Sequence, residues 1–214
     1  MSSPTIVTTQ YKGHPIIAGE YTEFKYNQHH LENNLQLLEC ATSRHNKVYS
    51  WRMDIRLPQD KDIQKCPNEF IKRFMGSYTK KLARKKLDPD YAVKMERETS
   101  DVPHFHVQMV TDGNKAKDYR KQIEVAEELL AEQLNLQPDE VKGLIDRCNK
   151  DKNGKPVKNG IMIRRGSSYF AKQFDEVHQQ MSYLAKSKDS DMVPSEKRKV
   201  SYSRFRRSKC RSSK

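Results

Sequence analysis

The chain has 214 residues, and its 41 lysines and arginines outnumber its 28 aspartates and glutamates, which gives a formal net charge of +13. With 35% hydrophobic residues it can bury one modest core, but it has no apolar stretch near the roughly 20 residues that span a bilayer. The composition therefore excludes a membrane-spanning protein and favours a basic domain whose partners are polyanions.

Breaks in composition divide the chain into three predicted parts. Residues 1–20 contain several prolines and glycines, and apolar spacing from Tyr21 to Thr42 indicates a helix, so residues 1–44 form an N-terminal segment. Residues 45–190 carry the regular patterns of one domain. Residues 191–214 predict a disordered tail, because residues 195–214 hold nine basic residues against one acidic residue. We expect this tail to contact nucleic-acid phosphates through Arg204, Arg206 and Arg207.

The cysteines and the first residues indicate the compartment. The four cysteines lie far apart and form none of the close pairs that zinc sites or redox motifs use. The first ten residues lack the charged and apolar regions of a secretory signal. We therefore expect a cytoplasmic protein with reduced thiols at Cys40, Cys66, Cys148 and Cys210.

The first strong pattern after the N-terminal helix is an alternation from Tyr49 to Leu57, which predicts a half-buried strand ended by a proline. Its polar side carries Ser50, Arg52, Asp54 and Arg56. Apolar residues at helical spacing then predict a helix over residues 68–86.

The next segment predicts a β-hairpin. Residues 91–98 and 104–110 both alternate, and a short polar break separates them. Further periodic segments predict a helix over 118–136, a strand over 160–165 and a last helix over 168–187. This order predicts an α+β fold, in which an antiparallel sheet of about four to five strands carries helices on one face.

Both hairpin histidines fall among polar residues, because His104 and His106 are two apart and share a face. If Glu98 lies opposite His104, then Glu96 lies opposite His106 and all four share that face. A slip of one residue would turn both acids away, and the apolar pattern favours the first register. Two imidazoles and a carboxylate on a rigid sheet suit a divalent cation with open positions. The alternative is a surface strand whose histidines make ordinary hydrogen bonds.

The last predicted helix presents a tyrosine and a lysine together. Tyr183 and Lys186 are three residues apart, so they lie on the same helix face, beside an apolar stripe. A phenol held there can attack a phosphodiester if a metal polarises the phosphate and a lysine offsets the developing charge. The alternative is a chance Tyr-x-x-Lys spacing at a helix edge.

Taken together, the segments YAVKMERETSDVPHFHVQMV and MSYLAKSK resemble the HUH endonuclease superfamily, named for the pattern His104-Phe105-His106. They look most like the replication initiators of filamentous-phage (inovirus) type in prophages and satellite elements. The resemblance covers about residues 45–190 and implies an RRM-like sheet, the palm of HUH enzymes.

The resemblance also implies an activity. Such enzymes nick single-stranded origin or hairpin DNA by tyrosine attack, which leaves a 5′-phosphotyrosyl link and a free 3′-hydroxyl for rolling-circle replication. Carried over, the nucleophile is Tyr183 with Lys186 as its helper, and the ligands of Mg²⁺ or Mn²⁺ are His104, His106 and Glu96, with Glu98 in reserve. A host helicase and polymerase are the implied partners, since the chain has no P-loop.

The sequence departs from the family pattern at two places. Gln108 stands where the family usually has an apolar residue, and only one tyrosine is well placed. Gln108 leaves open a resemblance to histidine-triad nucleotidyl transferases, in which the middle histidine attacks a nucleotide phosphate. The other alternative is a non-catalytic RRM-like module. In it Arg52, Arg56 and Lys94, on the polar face of the sheet, contact the backbone of a nucleic-acid single strand.

Overall fold

The computed structural model describes residues 5–18, 24–59, 66–96, 102–151, 153–187 and 200–204. Within these ranges the chain has four α-helices and a six-stranded antiparallel sheet, which confirms the predicted α+β class. The helices are α1 (Gln28–Arg44), α2 (Pro67–Arg84), α3 (Arg120–Leu134) and α4 (Phe170–Ser182).

The main sheet is built around its longest strand. In the order in which they lie, its strands are β10 (Val200–Tyr202), β6 (Asp90–Glu96), β7 (His104–Asp112) and β5 (Lys47–Arg56), with both β8 (Ile145–Asp146) and β9 (Ile161–Arg164) paired to the free side of β5. Two short antiparallel pairs lie before α1: β1 (Thr5–Val7) with β4 (Lys25–Asn27), and β2 (Gln10–Tyr11) with β3 (His14–Pro15).

Helices cover both faces of the sheet, where one face was expected. Trp51 and Phe105 point toward α2 and α3 and belong to the larger core. The other face buries smaller apolar residues, among them Val110, against α1 and α4. The reason is that α1 and α4 each carry an apolar stripe. The sheet face that bears the polar hairpin residues also bears apolar residues, and both stripes pack against these. The polar side of the hairpin is consequently covered by helices.

Two predicted segments differ from the structure. The last helix ends at Ser182, and a single 3₁₀ turn, Tyr183–Ala185, continues it. Within the tail predicted to be disordered, Val200–Tyr202 pair with β6, and the Tyr202 hydroxyl donates to the backbone carbonyl of His30 at 3.2 Å. The tail pattern was dominated by charge, which hid a three-residue edge strand.

In the part of the chain that the structure describes, no helix combines the length and the apolar character needed to cross a bilayer.

Candidate active site

The hairpin register brings one glutamate and two histidines onto the same face. Glu96 lies opposite His104, and Lys94 lies opposite His106. The expected register, with Glu98 opposite His104, is therefore wrong by two residues, and Glu98 itself lies outside the described residues. Because side chains alternate with a period of two, a shift of two residues keeps Glu96 on the same face as both histidines.

These three side chains form a group that could hold a metal ion. The Glu96 Oε2 atom is 2.8 Å from His106 Nε2 and 3.6 Å from His104 Nε2, and the three potential ligand atoms all lie within 4.8 Å of one another. Glu96 and His106 are buried, whereas His104 is partly exposed. One carboxylate oxygen and two imidazole nitrogens are a common ligand set for divalent metals.

Asp54 orients His106 from the neighbouring strand. It lies directly opposite His106 in the pairing of β5 with β7, and its Oδ2 is 2.8 Å from His106 Nδ1. Arg52 holds the same carboxylate through two hydrogen bonds, Nε to Oδ1 at 2.9 Å and Nη2 to Oδ2 at 2.8 Å. The His106 Nδ1–H therefore donates to Asp54, which leaves Nε2 toward Glu96.

The Arg52 Nη2 atom also lies 2.8 Å from His106 Nδ1. Both nitrogens are donors once the imidazole donates to Asp54, so this close approach is not a hydrogen bond, and the Asp54 carboxylate between the two groups accepts from both. The alternation within β5 placed Asp54 on the polar face of its strand. It assigned Asp54 no role, because alternation within one strand does not show that β5 pairs with β7.

Ion pairing keeps the two carboxylates charged. Burial by itself would raise the pKa of Asp54, but hydrogen bonds from His106 and Arg52 hold that pKa well below its usual range. Burial has the same effect on Glu96, and hydrogen bonds from both histidines, together with the Lys94 charge, likewise hold its pKa far below normal. Burial lowers the pKa of His106, and its two carboxylate partners outweigh this, so the net shift is upward. The buried Glu96 carboxylate and the partly buried Asp54 carboxylate thus remain ionised beside the imidazoles.

Tyr183 points into this cluster from the 3₁₀ turn after α4. Its hydroxyl donates to Glu96 Oε2 at 3.1 Å, so the phenol contacts the same oxygen atom as His106. The two rings meet edge to face, with centroids 5.1 Å apart. The structure therefore brings together the tyrosine and the three metal-ligand candidates that the sequence had named.

Three cations surround the Tyr183 ring. The Arg52 guanidinium carbon is 4.9 Å from the ring centroid, and the Nζ atoms of Lys186 and Lys94 are 4.8 Å and 5.3 Å from it. Burial and then the Glu96 charge raise the pKa of Tyr183, while Arg52 opposes them. The phenol is therefore protonated, consistent with its hydrogen bond to Glu96.

The predicted nucleic-acid contacts fall in different environments. Lys94 is 4% exposed and lies 2.6 Å from Glu96 Oε1, so it belongs to the site rather than to a surface. The cause is the cover that α1 and α4 give to this face. Arg52 is tied to Asp54, whereas Arg56 and Arg204 are exposed. The remaining two, Arg206 and Arg207, lie outside the described residues.

Gln108 has a structural contact. Its side-chain Nε2 donates to the Ser50 hydroxyl at 2.9 Å, and Ser50 in turn donates to the backbone carbonyl of Met109. All of these groups are buried in the sheet. Gln108 therefore links β7 to β5 inside the sheet.

The site lies inside a region matched by a known family. A family model described as the YagK/YfjJ C-terminal domain matches residues 8–203. The chain belongs to this family. The YagK/YfjJ match includes the short strands β2, β3 and β4, every residue of the site and β10. No curated protein and no solved structure matches the chain.

Proposed function

We propose that the protein is a metal-dependent endonuclease of the HUH type, which nicks single-stranded origin DNA and starts rolling-circle replication of a mobile element. One observation carries this function: the Tyr183 hydroxyl donates to Glu96 Oε2, the oxygen that also contacts His106. A potential nucleophile and a potential metal site therefore share one atom. Without that contact, a Tyr-x-x-Lys turn and a His-x-His strand would be two unrelated features.

The reaction balances with the groups at hand. The Tyr183 oxygen forms a bond to phosphorus, the bond from phosphorus to the 3′ oxygen breaks, and one proton moves from the phenol to that leaving oxygen. The products are a 5′-phosphotyrosyl link and a free 3′-hydroxyl that a polymerase can extend. The reverse attack by a 3′-hydroxyl would rejoin the strand.

Glu96, His104 and His106 would hold the metal, for which we propose Mg²⁺ or Mn²⁺. When bound, a divalent cation would polarise the scissile phosphate and offset the Glu96 charge that keeps the phenol protonated. Asp54 fixes the His106 ring through Nδ1, so that Nε2 faces the ligand position.

The cations near Tyr183 suit an anionic substrate. Lys186 extends over the ring from the residue after the 3₁₀ turn, and Arg52 approaches the same ring from β5. Their charge favours a phosphate beside the phenol and stabilises charge that develops on it. Lys186 is therefore proposed as the helper of the nucleophile.

The two alternatives receive less support. An RRM-like binding module needs an open sheet face, and here α1 and α4 lie against the polar face. A histidine-triad transferase needs a free nitrogen on its middle histidine, whereas each nitrogen of His106 lies 2.8 Å from a carboxylate oxygen. A histidine held between two carboxylates is suited to ligating a metal and is poorly placed to attack a phosphate.

The test is cleavage of labelled single-stranded DNA by the full chain in Mn²⁺, with mass spectrometry of any peptide–DNA adduct. We expect wild-type protein to nick and to form an adduct on Tyr183, while Tyr183→Phe nicks at least about 100-fold more slowly and binds DNA within a few fold. The matched control is Tyr91→Phe, which should nick normally, since Tyr91 packs against the core on the other face of the sheet.

His106→Ala should lose metal-dependent cleavage as well. Nicking that persists in Tyr183→Phe, or an adduct on another residue, would contradict the assignment of the nucleophile. Binding without any cleavage in Mg²⁺ or Mn²⁺ would favour the non-catalytic module instead.

A further inference from the structure

A second basic surface lies away from the metal-ligand cluster. A cavity of about 570 Å³ opens between β9, the start of α4 and the chain that follows β7. Gly160 forms part of its wall. Its φ is +102°, and because it has no Cβ its backbone can pass directly against Tyr49. Five of the lining side chains are cationic and one is acidic: Lys47, Lys117, Lys158, Arg164, Lys172 and Glu176.

The five cations are available to a ligand. All of them are exposed, and none lies within 4.0 Å of a carboxylate in the described part of the chain. Their charge is therefore not cancelled locally, and a concave surface lined with one sign of charge concentrates the opposite sign. A polyanion with regularly spaced phosphates matches this arrangement better than a single small anion, because the cations come from separate segments around the cavity.

An aromatic ring stands at the same cavity. Tyr169 is one of the lining residues and is 64% exposed, whereas the other tyrosine, phenylalanine and tryptophan side chains in the described part of the chain are buried or partly buried. Exposed aromatic rings beside a basic groove are the platforms on which unpaired bases stack. Duplex DNA has no unpaired base to offer, so the ring favours a single strand.

The cavity continues toward Tyr183. Lys158 also lines a second cavity of about 370 Å³, which reaches Arg52 and Asp54 beside the metal-ligand cluster. Three of the α4 residues that line the two cavities, Gln173, Glu176 and Gln180, follow Tyr169 at steps of three or four residues, and the next such step is Tyr183. This spacing places them on one side of the helix. We call the surface formed by these two cavities and this side of α4 the α4 groove.

We propose that the α4 groove binds single-stranded nucleic acid, with phosphates on its cations and a base stacked on Tyr169. The part of this inference that leads the strand to Tyr183 rests on the proposed function. Fourteen residues separate Tyr169 from Tyr183, which is about 21 Å along a helix at 1.5 Å per residue. At the 3.4 Å spacing of stacked nucleotides, about six nucleotides span that distance.

The experiment measures binding alone, so that it does not depend on cleavage. Full-length Tyr183→Phe protein in EDTA is titrated against a fluorescein-labelled 20-nucleotide single strand at several salt concentrations. Lys158→Gln/Lys172→Gln should weaken binding on the order of tenfold at 0.1 M salt and flatten the salt slope by about 1.4, at 0.7 per lost contact. The matched control is Lys72→Gln/Lys80→Gln, which removes two exposed lysines from α2 on the opposite face of the sheet.

Two further variants test the ring and the sign of the charge. Tyr169→Ala should weaken binding about fivefold or more without changing the salt slope, and Tyr169→Phe should restore it, since a phenyl ring still stacks. Glu176→Gln should tighten binding, because it removes the acid that lines the 570 Å³ cavity beside the five cations.

The outcomes separate this inference from the proposed function. If the groove and control pairs lose affinity equally, or if duplex DNA binds as tightly as the single strand and Tyr169→Ala changes nothing, the groove is not a single-strand path. If the groove variants behave as expected but wild-type protein never nicks in Mn²⁺, the groove stands and the nuclease does not.

Discussion

Asp54→Asn is the most informative change in the site, because it removes one charge and almost no volume. The Asp54 carboxylate accepts from His106 Nδ1 at 2.8 Å and from Arg52 at 2.8 and 2.9 Å. Asparagine offers one oxygen in place of two, and its amide nitrogen would face the guanidinium or the imidazole as a second donor. His106 would lose the partner that fixes its tautomer and ring orientation.

The expected magnitude follows from the role of a residue that orients a metal ligand. Loss of such a partner typically lowers metal affinity or activity by about 10- to 100-fold, which corresponds to about 1.4–2.7 kcal/mol. The Asp54 side chain is 18% exposed. Because solvent cannot fully replace a carboxylate at that depth, we expect the effect to lie within this range rather than near zero.

The assay is Mn²⁺ titration of the full chain by calorimetry, followed by nicking at saturating Mn²⁺. Asp146→Asn is the matched control, since Asp146 pairs with Asp54 across β5 and β8 but is exposed. Its side chain accepts from the Cys148 backbone N–H, and asparagine can keep that contact. Equal Mn²⁺ affinity in Asp54→Asn and wild type, with both proteins folded, would refute the orienting role of Asp54.

Two other changes test the surroundings of the site. Lys94→Met leaves the buried Glu96 without its 2.6 Å partner and should lower the free energy of unfolding, measured by urea denaturation, by about 3–5 kcal/mol. Lys72→Met, on the exposed face of α2, should leave that free energy unchanged. If the two variants unfold at the same urea concentration, Lys94 does not compensate the Glu96 charge. Truncation after Arg204 removes five basic residues and keeps β10, so it should flatten the salt slope of single-strand binding by up to about 3.5; an unchanged slope would show that the tail makes no contacts.

The period of the side chains explains why the site could be predicted in part. Alternation alone put Glu96, His104 and His106 on one face, and this holds for any register that differs by an even number of residues. Alternation says nothing about how far the strands extend before the turn. In the described part of the hairpin, Glu96, the predicted partner of His106, lies opposite His104, and Lys94 lies opposite His106.

Long-range pairing explains most of what the sequence did not predict. Asp54 reaches His106 only because β5 lies next to β7, and the two residues are 52 positions apart in the chain. The cover over the polar face has the same origin, since α1 and α4 come from opposite ends of the domain. A pattern within one segment contains no information on which distant segment will pack against it.

The observed register also determines what Glu96 can offer. Lys94 lies on Oε1 at 2.6 Å, while His106 and the Tyr183 hydroxyl contact Oε2. Only Oε2 therefore faces the imidazoles, and the group presents one oxygen and two nitrogens rather than a bidentate carboxylate. In the predicted register Lys94 would have lain one pair beyond the histidines. The pairing places Lys94 opposite His106, so the two oxygens of Glu96 have different partners. Oε1 contacts the buried lysine, and Oε2 faces the candidate metal position and the Tyr183 hydroxyl.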